Sequence, residues 1–388
     1  MLIKDKKIAI VGGGPGGLTL ARLLQMKGAD VKVYERDANR NVRVQGATLD
    51  LHLESGLRAL EEAGLMDAFK ANYRPGADKI RVVDEHANIF YDQHAEEGME
   101  AFGEEWFRPE IDRGPLRELL LDSLQADTVV WDSHILSLEP IADTWKLVFQ
   151  NGNIAIADIV IGADGANSKI RPFITPIKPF YSGITALEGN IYDSAKNTPK
   201  IHELLKGGKI FAFGDAKTLI VSAKGDGSLA FYTGCKLDAA WVKDSGIDFT
   251  DNKQVLEWFK NEYSAWSTIW QELFEYDKGY FIPRPLYCMP LDQSWETKAN
   301  ITMLGDAAHL MPPYAGEGVN MAMLDAVELS EALTGSAYPT IQSAIAHYEK
   351  QMCLRFAEVA QETLNNTDWM HSPNGLQIML DMFNEIPS

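Results

Sequence analysis

The chain has 388 residues, and its 36 Lys and Arg against 55 Asp and Glu give a formal net charge of −19. Its 46% hydrophobic and 23% charged residues are typical of a soluble globular protein and exclude a disordered or fibrous chain. The acidic balance argues against nucleic acid or an anionic membrane as a partner, because both require clustered Lys and Arg. At about 100–200 residues per domain, the length allows two or three domains.

The scattered cysteines and the absence of a recognisable secretory signal predict a reducing compartment. The three cysteines, Cys235, Cys288 and Cys353, are too scattered for a disulfide framework, and the histidines show no metal-ligand spacing. No apolar run reaches the about 18 residues that a membrane span needs. The charged N-terminus passes directly into a glycine-rich turn, unlike a secretory signal. We expect a cytoplasmic monomer that binds no metal, nucleic acid or membrane.

The N-terminal part predicts a strand, a glycine turn, a helix and a second strand. The apolar run Lys7–Val11 ends at Gly12, a helix is predicted over 18–27, and a β-type run follows over 30–35. Together they occupy about 30 residues, the size of one βαβ unit. A helix is then predicted over 115–123, followed by strands at 128–131, 135–138, 145–149 and 154–161.

The central part has a different pattern. Alternating runs at 184–191, 209–213, 219–223 and 229–233, separated by glycine turns, predict an antiparallel meander. A buried strand then returns at 301–304, with helices over 319–334 and 341–367 and an amphipathic tail over 376–383. We therefore expect a first domain in two parts, 1–172 and 288–338, an inserted β-rich domain at 173–287, and C-terminal bridging helices at 339–388.

Three strand ends carry anion-binding signals. Gly12, Gly14 and Gly17 form a GxGxxG motif between a predicted strand and helix, the context that supports binding of a dinucleotide pyrophosphate. Glu35 closes the next strand, where a carboxylate accepts hydrogen bonds from ribose hydroxyls. Asp164 follows the strand at 159–161, and Asp306 follows Gly305 before a glycine-rich loop and a helix.

These motifs, in this order, resemble the group A FAD-dependent monooxygenases, the para-hydroxybenzoate hydroxylase-like family. Four stretches resemble in particular the tetracycline-inactivating flavin monooxygenases: VYERD at 33–37, GATLDLH at 46–52, IDRGPLRELLLDSL at 111–124 and GDAAHLMPPYAGEGVN at 305–320. The resemblance is weaker from about residue 173 to 285. It implies an α/β (α+β) fold: a Rossmann-like FAD-binding domain, an inserted antiparallel β-sheet substrate domain and a C-terminal helix.

The resemblance also implies which residues bind the cofactors. Glu35 and Arg36 would contact the adenosine half of FAD, and Asp306 its ribityl or pyrophosphate part. Arg43 matches an arginine associated with NADPH or NADH. The remaining cofactor-binding positions are Asp50, Arg113 and Asp164, together with a group at the isoalloxazine edge that comprises Pro313, Gly316, Val319 and Asn320.

The substrate-binding positions depart from those of the tetracycline-inactivating enzymes. Glu188, Lys209 and Ala230 stand where those enzymes have glutamine, arginine and histidine, so tetracycline does not follow as the substrate. Glu317 also stands where glutamine is frequent. We expect the substrate pocket between the two domains, lined by Glu188, Lys209, Phe211 and Tyr314.

The function that the resemblance implies is monooxygenation. FAD would be reduced by NADPH or NADH and, through a C4a-hydroperoxide, would deliver one oxygen atom of O2 to an aromatic or enolic small molecule, including polyketide-like or tetracycline-like polycycles. No side chain is assigned a catalytic role, since the flavin carries the chemistry. Two alternatives stay open: a flavin reductase or dehydrogenase of the same fold, and a flavoprotein that binds a ligand without turnover.

Overall fold

The computed structural model describes residues 2–42, 46–95, 101–104, 106–276 and 278–385. The strands are β1 Lys7–Val11, β2 Asp30–Tyr34, β3 Leu49–Asp50, β4 Ile80–Asp84, β5 Ile89–Asp92, β6 Glu110–Ile111, β7 Val129–Val130, β8 Ile135–Ile141, β9 Thr144–Phe149, β10 Ile154–Ala157, β11 Ile159–Gly162, β12 Phe180–Ile191, β13 Lys209–Gly214, β14 Lys217–Ala223, β15 Leu229–Lys236, β16 Tyr280–Cys288 and β17 Ile301–Met303.

The α-helices are α1 Pro15–Met26, α2 Arg58–Glu62, α3 Met66–Lys70, α4 Arg113–Asp122, α5 Ser194–Asn197, α6 Pro199–Leu205, α7 Trp241–Asp244, α8 Asn252–Glu262, α9 Asp306–His309, α10 Gly318–Thr334, α11 Ile341–Met370 and α12 Gly375–Glu385. A single π-helical turn, Leu53–Leu57, precedes α2. In these ranges no helix is both long and apolar enough to cross a membrane.

A five-stranded parallel sheet with the order β17-β11-β1-β2-β7 forms the first layer. The predicted β1–α1–β2 unit is confirmed, with a buried strand, a helix that begins at Pro15 and a second strand. Since β2 and β11 lie on opposite sides of β1, the strand order reverses there. Ligands of open α/β sheets bind in the crevice beyond the carboxyl ends of strands at such a point.

The predicted single strand over 154–161 is wrong, because that apolar run forms two strands in different sheets. β10 pairs with β9 in an antiparallel three-stranded sheet, whereas β11 pairs with β1 in the parallel sheet. Asp158 lies between them, and its Oδ2 accepts a hydrogen bond from the Lys7 backbone N–H at 2.8 Å. The apolar pattern is continuous, so it does not reveal the change of partner.

The second large sheet has seven strands in the order β16-β12-β15-β14-β13-β4-β5. The predicted antiparallel meander is present as β13–β14–β15, whereas β12 pairs with β15 and β16 and not with β13. The sheet differs from the prediction in two further ways. β4 and β5 come from 80–92, inside the range assigned to the first domain, and β4 pairs with β13 in parallel. The predicted boundaries at 173 and 287 therefore leave two strands of this sheet outside it.

The two faces of the seven-stranded sheet have different neighbours. One face packs its apolar side chains against α6, α8 and the segment after α8 in a single core, which includes Leu187, Leu205, Val221, Phe231 and Phe259. Successive residues of a strand point to opposite faces, so Glu188, Tyr232 and Phe211 lie on the other face. That face is turned toward the parallel-sheet half of the molecule, because the Ala47 N–H donates a hydrogen bond to the Tyr232 hydroxyl oxygen at 3.3 Å.

The predicted C-terminal helices connect both halves. The hydroxyl of Tyr348 in α11 donates a hydrogen bond to the Met303 carbonyl of β17 at 3.0 Å. His371, directly after α11, lies 3.2 Å from the Thr218 hydroxyl of β14. α12 then packs its apolar side chains beside Val82 and Phe213, so it covers part of the free face of the seven-stranded sheet.

Candidate functional site

The glycine turn after β1 holds its three motif glycines for different reasons. Gly12 has a φ of +113°, and a Cβ there would collide with the Ala163 carbonyl group. A Cβ on Gly17 would collide with the Gly12 carbonyl oxygen. Gly14, by contrast, has an ordinary φ of −80°, and a Cβ there would meet no atom within 4 Å. The second glycine therefore leaves open space above the N-terminus of α1, as a bound pyrophosphate requires.

Glu35 lies beside this turn at the end of β2. Its side chain is buried, with the residue only 3% exposed. Oε2 accepts a hydrogen bond from the Gly13 N–H at 2.5 Å, and Oε1 accepts one from the Asp37 N–H at 3.0 Å. A carboxylate has about four acceptor positions, so Glu35 can fix the turn and still accept from a ligand hydroxyl. The neighbouring Arg36 is exposed.

Asp164 fixes the turn after β11. Its Oδ1 accepts a hydrogen bond from the Ser168 hydroxyl and its Oδ2 from the Lys169 N–H, both at 2.6 Å. Burial raises the pKa of this carboxyl and the two hydrogen bonds oppose that rise. Because both oxygens are used inside the turn, the structure gives Asp164 a turn-forming contact, and its predicted contact with a cofactor stays a prediction.

Arg171 joins two strand ends, which the sequence analysis did not foresee. Its guanidinium donates to the carbonyls of Ala166 at 3.1 Å, Asp306 at 2.8 Å and Ala307 at 2.7 Å. The turn after β11 is thereby fastened to the turn after β17. A lone arginine nine residues beyond the end of a strand has no sequence pattern that would reveal such contacts.

The Gly305–Asp306 turn is held from behind by α10. Asp325 Oδ2 accepts the Gly305 N–H at 2.9 Å and lies 2.5 Å from His309 Nε2. His309 is buried by these contacts and by the ring of Phe356. The Asp306 side chain is accessible to solvent. The surrounding protein atoms raise the pKa of its carboxyl, while the charges of His309, Arg113 and Arg171 oppose the rise.

The segment from Pro313 to Asn320 lies against β3. The Asn320 amide donates to the Asp50 carbonyl at 2.9 Å and its Oδ1 accepts the His52 N–H at 3.0 Å. Gly316 has a φ of +72°, and a Cβ there would lie 3.3 Å from Asp50 Oδ2. Pro313 and Val319 on the same segment remain accessible to solvent.

Arg113 and Arg43 are both predicted to bind cofactors, and the structure describes only Arg113. Arg113, at the start of α4, is exposed and donates to the Ala47 carbonyl at 3.1 Å. Its charge opposes the rise in the pKa of the Asp306 carboxyl. Arg43 lies outside the described residues.

The four predicted substrate residues come together on the free face of the seven-stranded sheet. The register places Glu188 and Phe211 on this face, with Lys209 two residues from Phe211. A Cβ on Gly234 of β15 would lie 3.1 Å from the Tyr314 hydroxyl, which brings the Pro313–Asn320 segment over the sheet. The structure therefore places the free sheet face and the Pro313–Asn320 segment at one cleft.

Both charged substrate residues already have ionic partners, which sequence reasoning missed. Glu188 Oε2 accepts from Arg284 Nε at 2.8 Å, and Lys209 donates to the buried Glu110. Arg284 lies between two prolines on an edge strand, where a proline-containing run gives a weak strand signal. Glu110 lies in the two-residue strand β6, which is too short to have a periodic pattern.

The described part of the chain contains no group of three or more His, Cys, Asp or Glu side chains that could hold a metal ion. The site instead consists of three strand-end turns, a helix N-terminus and a facing sheet surface. This arrangement suits a long phosphate-containing ligand in the crevice and a second, smaller molecule on the sheet.

Comparison with known proteins identifies that ligand. A family model described as an FAD binding domain matches residues 5–103 and 294–363. Monooxygenase asqM of Emericella nidulans is 30% identical over 88% of this chain and 86% of its own length. The chain belongs to the FAD-dependent monooxygenases. The predicted resemblance to this family, the predicted cofactor FAD and the predicted enzyme class are thereby confirmed.

Two further comparisons agree with this assignment. The 3-amino-4-hydroxybenzoate 2-monooxygenase of Streptomyces cremeus is 28% identical over 97% of this monooxygenase and 90% of its own length. The crystal structure of tetracycline destructase Tet(55) superposes with a TM-score of 0.77 at 18% identity and covers 99% of this chain and 95% of that one. The second likeness concerns the fold.

The residues present in the monooxygenase fit FAD. The space above Gly14 admits a pyrophosphate, and the Glu35 carboxylate has acceptor capacity left beside it. The solvent-accessible Asp306 follows β17 in the same parallel sheet. The helix N-termini of α1 and α10 supply free N–H groups and positive dipole ends for phosphate or an electron-rich ring.

Proposed function

We propose that FAD lies along the strand ends of the parallel sheet, with its adenosine half at Glu35 and Arg36 and its ring at the segment before α10. The pyrophosphate would lie above Gly14 and near Asp306, and Arg43 would contact NADPH or NADH. The other members of the proposed binding set are Gly12, Gly17, Asp50, Arg113, Asp164, Pro313, Gly316, Val319 and Asn320. The open space above Gly14 is the observation that supports this placement most directly.

We propose that the substrate is a flat aromatic or enolic molecule lying on the free sheet face. Glu188, Tyr232, Ile220 and Phe211 form one row across β12, β15, β14 and β13. With neighbouring strands about 4.8 Å apart, this row is about 14 Å long. A fused-ring molecule with polar substituents at both ends would match the row, since the ion pairs of Glu188 and Lys209 mark its two ends.

One buried amide supports a hydrogen-bonding substituent on the substrate. Asn190 is 3% exposed, and neither its amide nitrogen nor its oxygen has a hydrogen-bond partner among the described residues. It lies on the same face as Glu188 and opposite Tyr280, whose buried hydroxyl also lacks a partner there. Leaving such groups unpaired costs about 1–3 kcal/mol each, so a ligand group that pairs with them would gain affinity and selectivity.

When bound, FAD would supply the redox chemistry, taking a hydride from NAD(P)H and activating O2 for transfer of one oxygen atom. The chain's own residues would orient the two molecules and keep water away. One apolar cluster contains Phe211, Tyr314 and the apolar side of α12. It would exclude water from this part of the cleft. The ion pairs of Lys209 and Glu188 hold fixed charges at its ends, where an acidic hydroxyl of the substrate would ionise beside Lys209 Nζ.

The test measures flavin content, NADPH and NADH oxidation, H2O2 release and product mass with a panel that contains hydroxylated benzoates, fused-ring enols and a tetracycline. We expect a yellow protein whose NAD(P)H oxidation is stimulated by at least one panel member, with a product heavier by one oxygen atom derived from labelled O2. Stimulated oxidation with no oxygen insertion across the panel would indicate a reductase and overturn the proposal.

A further inference from the structure

His52 joins two carboxylates that come from distant parts of the chain. Its Nε2 lies 3.1 Å from Asp50 Oδ2 at the end of β3, and its Nδ1 lies 2.9 Å from Glu317 Oε1 directly before α10. The His52 side chain is 12% exposed, and the two carboxylates are about one quarter exposed. A neutral imidazole has one N–H and could donate to only one of them. The geometry therefore suits the imidazolium, which donates to both.

Neutral contacts place the same two segments in register. Asn320 exchanges hydrogen bonds with the backbone of Asp50 and His52. The approach depends on Gly56 in the π-helical turn that follows His52, because a Cβ there would lie 2.6 Å from Asn320 Oδ1. The ionic bridge is the part of this contact that depends on a proton.

The charged groups around His52 favour its protonated form. Burial alone would lower the pKa of His52, but the hydrogen bonds and charges of Asp50 and Glu317 outweigh burial and raise it to about 9. Behind Asp50, the partly buried Lys209 donates a hydrogen bond to Glu110, which lies opposite Asp50 in the β3–β6 pair, and its charge also acts on Asp50. Burial disfavours the ionised Asp50, yet its pKa is lowered, because His52 and Lys209 stabilise the carboxylate.

We propose that His52 is a positioning residue whose imidazolium fastens the Pro313–Asn320 segment to β3 through Glu317 and Asp50. The inference rests on the proposed placement of the flavin ring beside this segment, and it deepens that proposal by naming what holds the segment there. Glu317 supplies one of the two negative charges of this bridge, so the fastening depends on the protonation of His52. Deprotonation of His52 removes one N–H and one charge, and the segment loosens.

The first experiment measures the titration of His52 directly by nuclear magnetic resonance on FAD-free and FAD-loaded protein with isotope-labelled histidine. Glu317→Gln keeps the size and the acceptor oxygen but removes the charge. Glu331→Gln is the matched control, because Glu331 pairs with Arg58 at 3.3 Å on the surface. We expect His52 to titrate near 9 in the wild type and in the control, and at least about one unit lower in Glu317→Gln. A wild-type value near 6.5, or no change in Glu317→Gln, would overturn the fastening.

The second experiment follows FAD affinity against pH by fluorescence titration of the FAD-free proteins. We expect the dissociation constant of the wild type to rise by about tenfold or more between about pH 7 and about pH 10, with the midpoint shifted down in Glu317→Gln. His52→Gln, which can bond Asp50 but does not titrate, should lose this dependence. If His52 titrates as expected while FAD affinity is independent of pH in every variant, the placement of the flavin is overturned and the ionic bridge stands.

Discussion

Asp325 offers the most direct test of how the Gly305–Asp306 turn is held in place. The residue is fully buried at 0% exposure, its Oδ2 contacts His309 and the Gly305 N–H, and its Oδ1 accepts from Arg355 at 2.7 Å. Burial disfavours its ionisation, yet His309 and Arg355 keep its pKa below the usual value. Breaking a buried ion pair by removing one partner costs about 3–5 kcal/mol. We expect Asp325→Asn to lower the free energy of unfolding by about 3 kcal/mol, because the amide cannot balance the charge of the buried His309 or of the partly buried Arg355.

The measurement is urea unfolding of FAD-free protein, followed by circular dichroism and extrapolated to water. Glu328→Gln is the matched control: Glu328 accepts from Arg355 at 2.6 Å but is partly exposed, and Arg355 keeps Asp325 as a partner. That variant should lose about 1 kcal/mol or less. Equal losses in the two variants, or a loss below about 1 kcal/mol in Asp325→Asn, would refute the role of the buried charge. FAD retention should fall in Asp325→Asn and not in the control.

Three further substitutions test the cleft. Gly14→Val should weaken FAD binding by about tenfold or more while changing the unfolding free energy by about 0.5 kcal/mol or less. Gly114→Ala is the control, because a Cβ at Gly114 would also meet no atom within 4 Å. Equal FAD affinities in the two variants would contradict the placement of the pyrophosphate above Gly14. Lys209→Met leaves Glu110 buried without its cation and should cost about 3 kcal/mol, most of which the double variant with Glu110→Gln should restore in urea unfolding; no recovery would contradict the pairing. Phe211→Ala should raise the KM for substrate and the H2O2 released per NAD(P)H, and an unchanged ratio would remove Phe211 from the cleft.

The parts of the fold that follow from local pattern are those the sequence predicted. The β1–α1–β2 unit and α10 combine apolar periodicity with bounding glycines, and α11 has apolar residues at helical spacing. The structure has all of these elements within a few residues of the prediction. The missed elements depend on distant partners: β4 and β5 are short strands recruited to the sheet of β13, and β16 contains Pro283 and Pro285 at the sheet edge. Proline lowers the strand signal although it is tolerated at an edge.

The candidate site divides in the same way. Gly12, Gly14, Gly17 and Glu35 were predictable because a strand, a turn and a helix encode their geometry in one short stretch. The bridge between His52 and Glu317 was not predictable, because the two residues lie far apart in the sequence. The same is true of the hydrogen bond between His52 and Asn320, which are 268 residues apart. One sequence contains no signal for such a pair until the fold brings its members together.

Because β4 and β5 belong to the seven-stranded sheet, the proposed substrate-binding sheet cannot be exchanged between relatives as residues 173–287 alone. Phe211 and Lys209 on β13 lie directly beside Val82 and Ile80 on β4. A chimera that swaps only residues 173–287 would pair an incoming β13 with the recipient's β4, so the cleft floor at Phe211 would have mismatched neighbours. Transfer of residues 80–92 together with the insertion keeps these strand pairs intact, and the unit that carries substrate preference is therefore discontinuous in the gene.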